Sequence, residues 1–186
     1  MDTQKDRIFI SYRRSDTSGS ATAIRKTLLE RFGEQSIFQD VEGIAPGAEF
    51  PATLRDELKR AAVVLAVIGR NWLHAANEYG QRRIDFEDDW VRTELTLALQ
   101  DPEVTVVPVL VDGADMPPAR ALPQSLMDLC TRNAVSLRHD AWDDTARPLL
   151  NRITDILKPD QAAPRLETSG LVTPELIRHA VAEALE

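Results

Sequence analysis

The sequence is poor in cysteine and histidine, with one of the former and three of the latter among its 186 residues. Cys130 has no partner for an intrachain disulfide. His74, His139 and His179 lie too far apart in sequence to provide the ligand spacing of a zinc site, so we expect no metal centre. The fold must therefore depend on a hydrophobic core, for which 43% apolar residues suffice.

Long apolar runs and an excess of positive charge are also missing. The longest uninterrupted apolar run covers residues 61–69, about half of the roughly 18 residues that cross a bilayer. The first six residues lack the apolar segment of a secretory signal, so we expect a cytoplasmic chain without a membrane span. Lys and Arg number 22 against 30 Asp and Glu, a net charge of −8 that argues against direct binding of nucleic acid.

Three common catalytic and nucleotide-binding motifs do not occur. The sequence contains neither G-x-G-x-x-G after a strand nor G-x-x-x-x-G-K-[ST], which argues against the Rossmann and P-loop modes of nucleotide binding. It also lacks the G-x-S-x-G nucleophile elbow. The first apolar run is followed by residues 11–14 (SYRR) rather than by clustered acids, which argues against phosphoacceptor chemistry.

Short apolar or β-branched runs alternate with stretches of helical period, a pattern that predicts βαβ units. The predicted strands are residues 7–11, 36–39, 63–68, 104–111 and 134–137. The third and fourth runs are nearly continuous Val, Leu and Ile, as expected for central strands of a parallel sheet. The predicted fold class is therefore α/β, a five-stranded parallel sheet with helices on both faces.

Apolar residues recur at helical spacing in five segments. The first stripe ends at Gly33, the second follows Pro51, and the third closes before Asp101. A fourth helix is predicted at residues 123–132 and a fifth at 143–157.

A linker is predicted after residue 158, where the composition shifts to Pro, Ala, Asp and Gln. We therefore assign residues 1–158 to one domain and 159–186 to the linker and a short helix that begins near Thr173 and Pro174. One short helix cannot fold alone. It docks on the domain, pairs with a second copy, or begins a further sensor or oligomerisation module.

In an open parallel sheet, ligands bind beyond the carboxyl ends of the strands, where the strand order reverses. The first such loop contains Tyr12, Arg13 and Arg14 just before a helix N-terminus. Guanidinium groups and free backbone N–H groups favour phosphate oxygens, and a tyrosine ring can stack on a flat heterocycle. The alternative is that the arginines are solvated or pair with Asp6 and Asp16.

The loop that follows the second strand, residues 40–50, is longer than a typical connection and contains a Pro-Gly turn. It suits a lid or a partner-binding finger. The alternative is an ordinary surface connection.

Trp90 and Glu94 are four residues apart on the third predicted helix, so they share one face beside its apolar stripe. A carboxylate at the margin of a buried stripe is partly desolvated, an environment suited to chemistry. The alternative is a surface glutamate that pairs with a neighbouring base.

Together these segments resemble a TIR (Toll/interleukin-1 receptor) domain, particularly the bacterial type and the axonal enzyme that cleaves NAD. Residues 6–14 (DRIFISYRR) resemble the family's first-strand box. Residues 38–42 (FQDVE), with the Pro-Gly that follows at 46–47, resemble its second strand and BB loop. Residues 90–95 (WVRTEL) resemble the segment that carries the catalytic glutamate. The resemblance covers residues 6–157.

The resemblance implies a flavodoxin-like domain that either releases nicotinamide from NAD, giving ADP-ribose or a cyclic product, or acts as a noncatalytic adaptor through TIR–TIR contacts. Many adaptors lack the glutamate, and its presence here favours the enzyme. Bacterial relatives of this type act in antiviral defence after self-assembly through the BB loop, here residues 40–50, often with a fused or separate sensor. NAD is then a substrate and no cofactor is expected. The implied catalytic residue is Glu94, and the implied substrate-binding residues are Tyr12, Arg13, Arg14, Asp40, Phe50 and Trp90.

Overall fold

The structure is a computed structural model that describes residues 5–39 and 52–157. In chain order, its strands and α-helices within those ranges are β1 (Arg7–Tyr12), α1 (Arg14–Phe32), β2 (Ile37–Gln39), α2 (Ala52–Arg60), β3 (Ala61–Ile68), α3 (Trp90–Gln100), β4 (Thr105–Leu110), β5 (Val135–Ser136) and α4 (Trp142–Leu157). The predicted BB loop, including Asp40 and Phe50, lies outside the described residues. So do the predicted linker and C-terminal helix.

The sheet has the strand order β2-β1-β3-β4-β5, and every pairing is parallel. This is the flavodoxin-like order, and it confirms the predicted fold class. All eight residues of β3 are buried, as its continuous apolar run predicts for a central strand. The chain moves from β1 outward to β2 and then returns past β1 to β3. The carboxyl ends of β1 and β3 therefore flank the point where the strand order reverses.

Helices cover both faces of the sheet. On one face α2 and α3 pack over Phe9 and Val64, with Leu95 among the buried residues of α3. On the other face α1 and α4 pack over Ile8 and Val63. Successive strand residues point to opposite faces, which is why neighbours in sequence belong to different cores.

The helix predicted at 123–132 is present, but it is not an α-helix. Residues Gln124–Thr131 form a 3₁₀ helix instead. Its buried residues are Leu126 and Leu129, three positions apart, a spacing that matches the three residues per turn of a 3₁₀ helix. The other four predicted helices are confirmed. Gly33 ends α1 with a φ of 80°, and Asp101 follows the last residue of α3.

Within the two described ranges, no helix combines the length and the apolarity that a bilayer crossing requires.

Candidate functional site

The candidate site lies at the carboxyl edge of the sheet, where β1 and β3 end. Arg13 follows β1, residues 69–89 follow β3, and α3 begins at Trp90. A helix that connects two parallel strands runs back antiparallel to them, so the first turn of α3 lies at the same edge. The fold thus brings together two of the sequence-predicted segments, the one after β1 and the one at the start of α3.

Glu94 is buried, with 3% of its surface exposed. It neighbours the apolar stripe of α3, which packs into the core through Val91, Leu95 and Ala98. The half-buried Trp90 packs against the same core one turn earlier. The predicted desolvation of this side chain is confirmed, and the alternative of a surface glutamate is wrong. Glutamate is seldom this buried in proteins, so the position is a candidate for chemistry.

Arg13 is buried in an ion pair with Asp89, and their side chains are 3% and 1% exposed. Nη1 donates to Oδ2 at 2.8 Å and Nη2 donates to Oδ1 at 3.0 Å. Nε donates to the backbone oxygen of Trp72 at 3.0 Å. The guanidinium is therefore neither solvated nor paired with Asp6 or Asp16. Three of its nitrogens are directed at the protein, whereas the sequence suggested contact with a ligand phosphate.

Asp89 also caps α3, because its Oδ1 accepts a hydrogen bond from the backbone N–H of Arg92 at 2.9 Å. An aspartate just before an apolar helical stripe is a recognised N-cap signal, so this role was open to prediction from sequence. The pairing with Arg13 was not, since the two residues are 76 positions apart. Asp89 is thus a site residue that the sequence reasoning missed.

Trp72 is a second residue that the sequence reasoning missed. Its side chain is fully buried, and the guanidinium carbon of Arg13 lies 5.7 Å from its ring centre, within range of a cation–π contact. It anchors the segment after β3 beneath the site. The sequence around Trp72 gave no indication of this role.

Tyr12 and Arg14 flank Arg13 in the sequence but face different surroundings. Tyr12 ends β1 and is half-buried, whereas Arg14 begins α1 and is exposed. Arg14 stands at a helix N-terminus, where anions are favoured. Of the two adjacent arginines, it is the one whose side chain solvent can reach.

A second set of contacts joins the loops at this edge. Oδ1 of Asp112 lies 2.9 Å from Nε2 of His139, and Oδ2 accepts a hydrogen bond from Ser20 Oγ at 3.0 Å. Nε of Arg70 donates to the backbone oxygen of Asp112 at 2.6 Å. These bonds connect α1 with the segments after β3, β4 and β5, and they occupy the Asp112 carboxylate.

Arg138 and Asp140, which follow β5, form an exposed ion pair at the same edge. The hydrogen bond from Arg138 holds the pKa of Asp140 below its ordinary value. Asp140 therefore stays ionised and is not suited to act as a proton donor.

In the part of the chain that the structure describes, no three His, Cys, Asp or Glu side chains are grouped so that they could hold a metal ion.

A family model described as "TIR domain" matches residues 8–150. Among solved structures, the TIR domains of the activated Roq1 resistosome, which recognises the pathogen effector XopQ, are similar at 15% sequence identity and a TM-score of 0.45. That match covers 97% of this chain and 99% of the other.

Proposed function

The chain belongs to the TIR domain family, and on that premise we propose that it is an NAD glycohydrolase with Glu94 as its catalytic residue. The observation that carries the proposal is the buried Glu94 carboxylate, 3% exposed on α3 at the edge where the strand order reverses. Ligands of open parallel sheets bind at that edge.

The chemistry of NAD explains why one carboxylate is enough. The bond to be broken joins a ribose carbon to a positively charged nicotinamide nitrogen, and the departing nicotinamide is neutral. The leaving group therefore needs no proton, unlike that of an ordinary glycoside, for which a second carboxyl group acts as the acid. Glu94 would hold the ribose hydroxyls and stabilise the positive charge that develops on the sugar.

Two other carboxylates at the carboxyl edge make contacts within the protein. Asp89 is paired with Arg13, and Asp112 is bonded to Ser20 and His139. These contacts hold their oxygens on protein donors. Glu94 is the edge carboxylate that the proposal assigns to the substrate.

The remaining predicted site residues have distinct roles in the proposal. Trp90 would form a wall of the pocket and limit the access of water. Tyr12 and Arg14 would contact the adenosine diphosphate portion, with Asp40 and Phe50 as further pocket residues. Release of nicotinamide followed by attack of water gives ADP-ribose, and attack by the adenine or by a ribose oxygen of the substrate itself gives a cyclic product.

The proposal is tested by incubating the purified chain with NAD and measuring released nicotinamide. The protein is held on a multivalent support, because the active form is proposed to be a self-assembled one. Nicotinamide release above that of the support alone supports the enzyme. Its absence from clustered, folded protein would favour the noncatalytic adaptor.

Arg14→Ala is expected to raise KM for NAD by about 10-fold with little change in kcat. A hydrogen bond to a charged group contributes about 1.5–3 kcal/mol, and one made equally in the ground and transition states appears in KM alone. Initial rates over a range of NAD concentrations measure both constants. Arg152→Ala, at an exposed position of α4, is the matched control. A KM equal to that of the parent would remove Arg14 from the binding site.

The rate of nicotinamide release is expected to rise more steeply than linearly with protein concentration in free solution. If a partner copy completes the pocket with its segment 40–50, the active species is an oligomer. By mass action, doubling the protein concentration then raises the rate about fourfold while dimers are the minor species. Activity assays paired with light scattering check this. A linear dependence from a monomer at every concentration would contradict shared sites.

The proposed biological role is that of a bacterial immune effector that depletes NAD when a fused or separate sensor assembles it.

A further inference from the structure

The buried Arg13–Asp89 ion pair joins the end of β1 to the first turn of α3. We propose that this pair is a positioning unit, which fixes α3 against β1 and thereby sets the position of the Glu94 carboxylate. That the pair positions α3 is a statement about the fold and does not depend on any reaction. That the pair affects catalysis through Glu94 rests on the proposed function.

The geometry of the pair leaves the Asp89 carboxylate little freedom. Oδ1 accepts hydrogen bonds from Arg13 Nη2 at 3.0 Å and from the backbone N–H of Arg92 at 2.9 Å. Oδ2 accepts from Arg13 Nη1 at 2.8 Å and lies 3.6 Å from Nε of Arg83. One carboxylate is thus bound both to the helix that it caps and to the residue that follows β1.

Arg13 is held equally firmly. Its Nε donates to the backbone oxygen of Trp72, and its guanidinium lies over the Trp72 ring. A planar guanidinium with paired hydrogen bonds fixes direction as well as distance. Since α3 is a continuous helix from Trp90 to Gln100, fixing its first turn also fixes Glu94.

Stability alone is a weak explanation for this ion pair. Removing two charges from water is costly, and buried ion pairs can often be replaced by apolar side chains without loss of stability. What an apolar pair cannot reproduce is the directional contact between β1 and the helix cap. The exposed Arg82–Asp85 pair, 36% and 46% exposed on the same loop, provides a contrast.

The same contacts separate the roles of the two adjacent arginines. Three nitrogens of Arg13 are bonded to protein groups, and its side chain is 3% exposed. The proposal therefore makes Arg13 a positioning residue and leaves contact with the substrate phosphates to Arg14.

The kinetic test uses Asp89→Asn, which retains an acceptor for the helix cap and removes the charge. We expect kcat to fall by about 10- to 100-fold, the loss that follows a displacement of about 1 Å in a reacting group, and KM to stay within about threefold of the parent. The double variant Arg13→Met/Asp89→Asn removes the unpaired buried cation. It is expected to regain the Tm of the parent but not its kcat. Asp85→Asn, on the exposed pair, should match the parent in kcat, KM and Tm.

A spectroscopic test reports on α3 without any activity. The chain has three tryptophans, so labelling with 5-fluorotryptophan gives three ¹⁹F resonances, assigned by replacing each with Phe. Asp89→Asn should shift the resonances of Trp72 and Trp90. It should leave Trp142 unchanged, because that ring lies at the opposite face, where its Nε1 donates to Thr27. Asp85→Asn should leave all three in place.

The outcomes distinguish this proposal from the proposed function. If the parent releases no nicotinamide but the Trp90 resonance shifts in Asp89→Asn, the enzyme assignment fails and the placement of α3 by the ion pair stands. An unshifted Trp90 resonance would overturn the positioning unit. So would a kcat equal to that of the parent in folded Asp89→Asn. An Arg13→Lys variant that raises KM and keeps kcat would instead make Arg13 a substrate ligand.

Discussion

Glu94→Gln is expected to lower the turnover of NAD by about 10²- to 10³-fold, the usual effect of removing one preorganised stabiliser of the transition state. The amide keeps the volume of the side chain but cannot offset the positive charge that develops on the ribose. The fold should persist, because the substitution leaves the packing of Val91, Leu95 and Ala98 unchanged. Nicotinamide release from clustered protein, measured at saturating NAD, gives the comparison.

Glu87→Gln is the matched control for this experiment. It makes the same chemical change at an exposed position shortly before α3. We expect its turnover to equal that of the parent. Equal cleavage of NAD by Glu94→Gln and the parent, with both proteins folded by circular dichroism, would refute the assignment of Glu94.

Asp89→Ala is expected to lower the free energy of unfolding by about 3–5 kcal/mol. Breaking a buried ion pair by removing one partner leaves an uncompensated charge, here Arg13, and this costs about that amount. The same change removes the N-cap of α3, which contributes about 1 kcal/mol on its own. Urea titration followed by circular dichroism measures the difference, provided that the slope of the transition is unchanged.

Asp85→Ala is the control for that loss in the free energy of unfolding. Its partner Arg82 lies 2.7 Å away on the surface, and exposed pairs of this kind contribute about 0–1 kcal/mol. The two aspartates are on one loop and undergo the same substitution, so the contrast isolates burial. A loss below about 1 kcal/mol for both variants would show that the Arg13–Asp89 pair does not hold this edge of the fold together.

The fold could be predicted from sequence because its signals are local. The apolar run that became β3 is readable without any other part of the chain, and Asp89 and Asp101 mark the two ends of α3. The burial of Glu94 was predictable for the same reason, since helical spacing places it one turn from Val91 and one turn from Ala98 on the buried side of α3.

The interior of the site could not be predicted, because its contacts are between residues far apart in sequence. Arg13 could be recognised as a candidate ligand-binding residue, but nothing near it in the sequence indicated that its charge would be paired with that of Asp89. The bond between Asp112 and His139 likewise depends on the pairing of β4 with β5. The helix at Gln124–Thr131 was predicted, but its 3₁₀ type was not, because its apolar residues fit both helix types.

The position of β1 between β2 and β3 has a consequence for synthesis on the ribosome. A nascent chain that has emerged only through β3 carries Arg13 without its aspartate and lacks Glu94 altogether. The edge at which we place cleavage of NAD is assembled only after α3 has emerged and docked. On the proposed function, translation products that end before α3 therefore lack the catalytic carboxylate and release no nicotinamide.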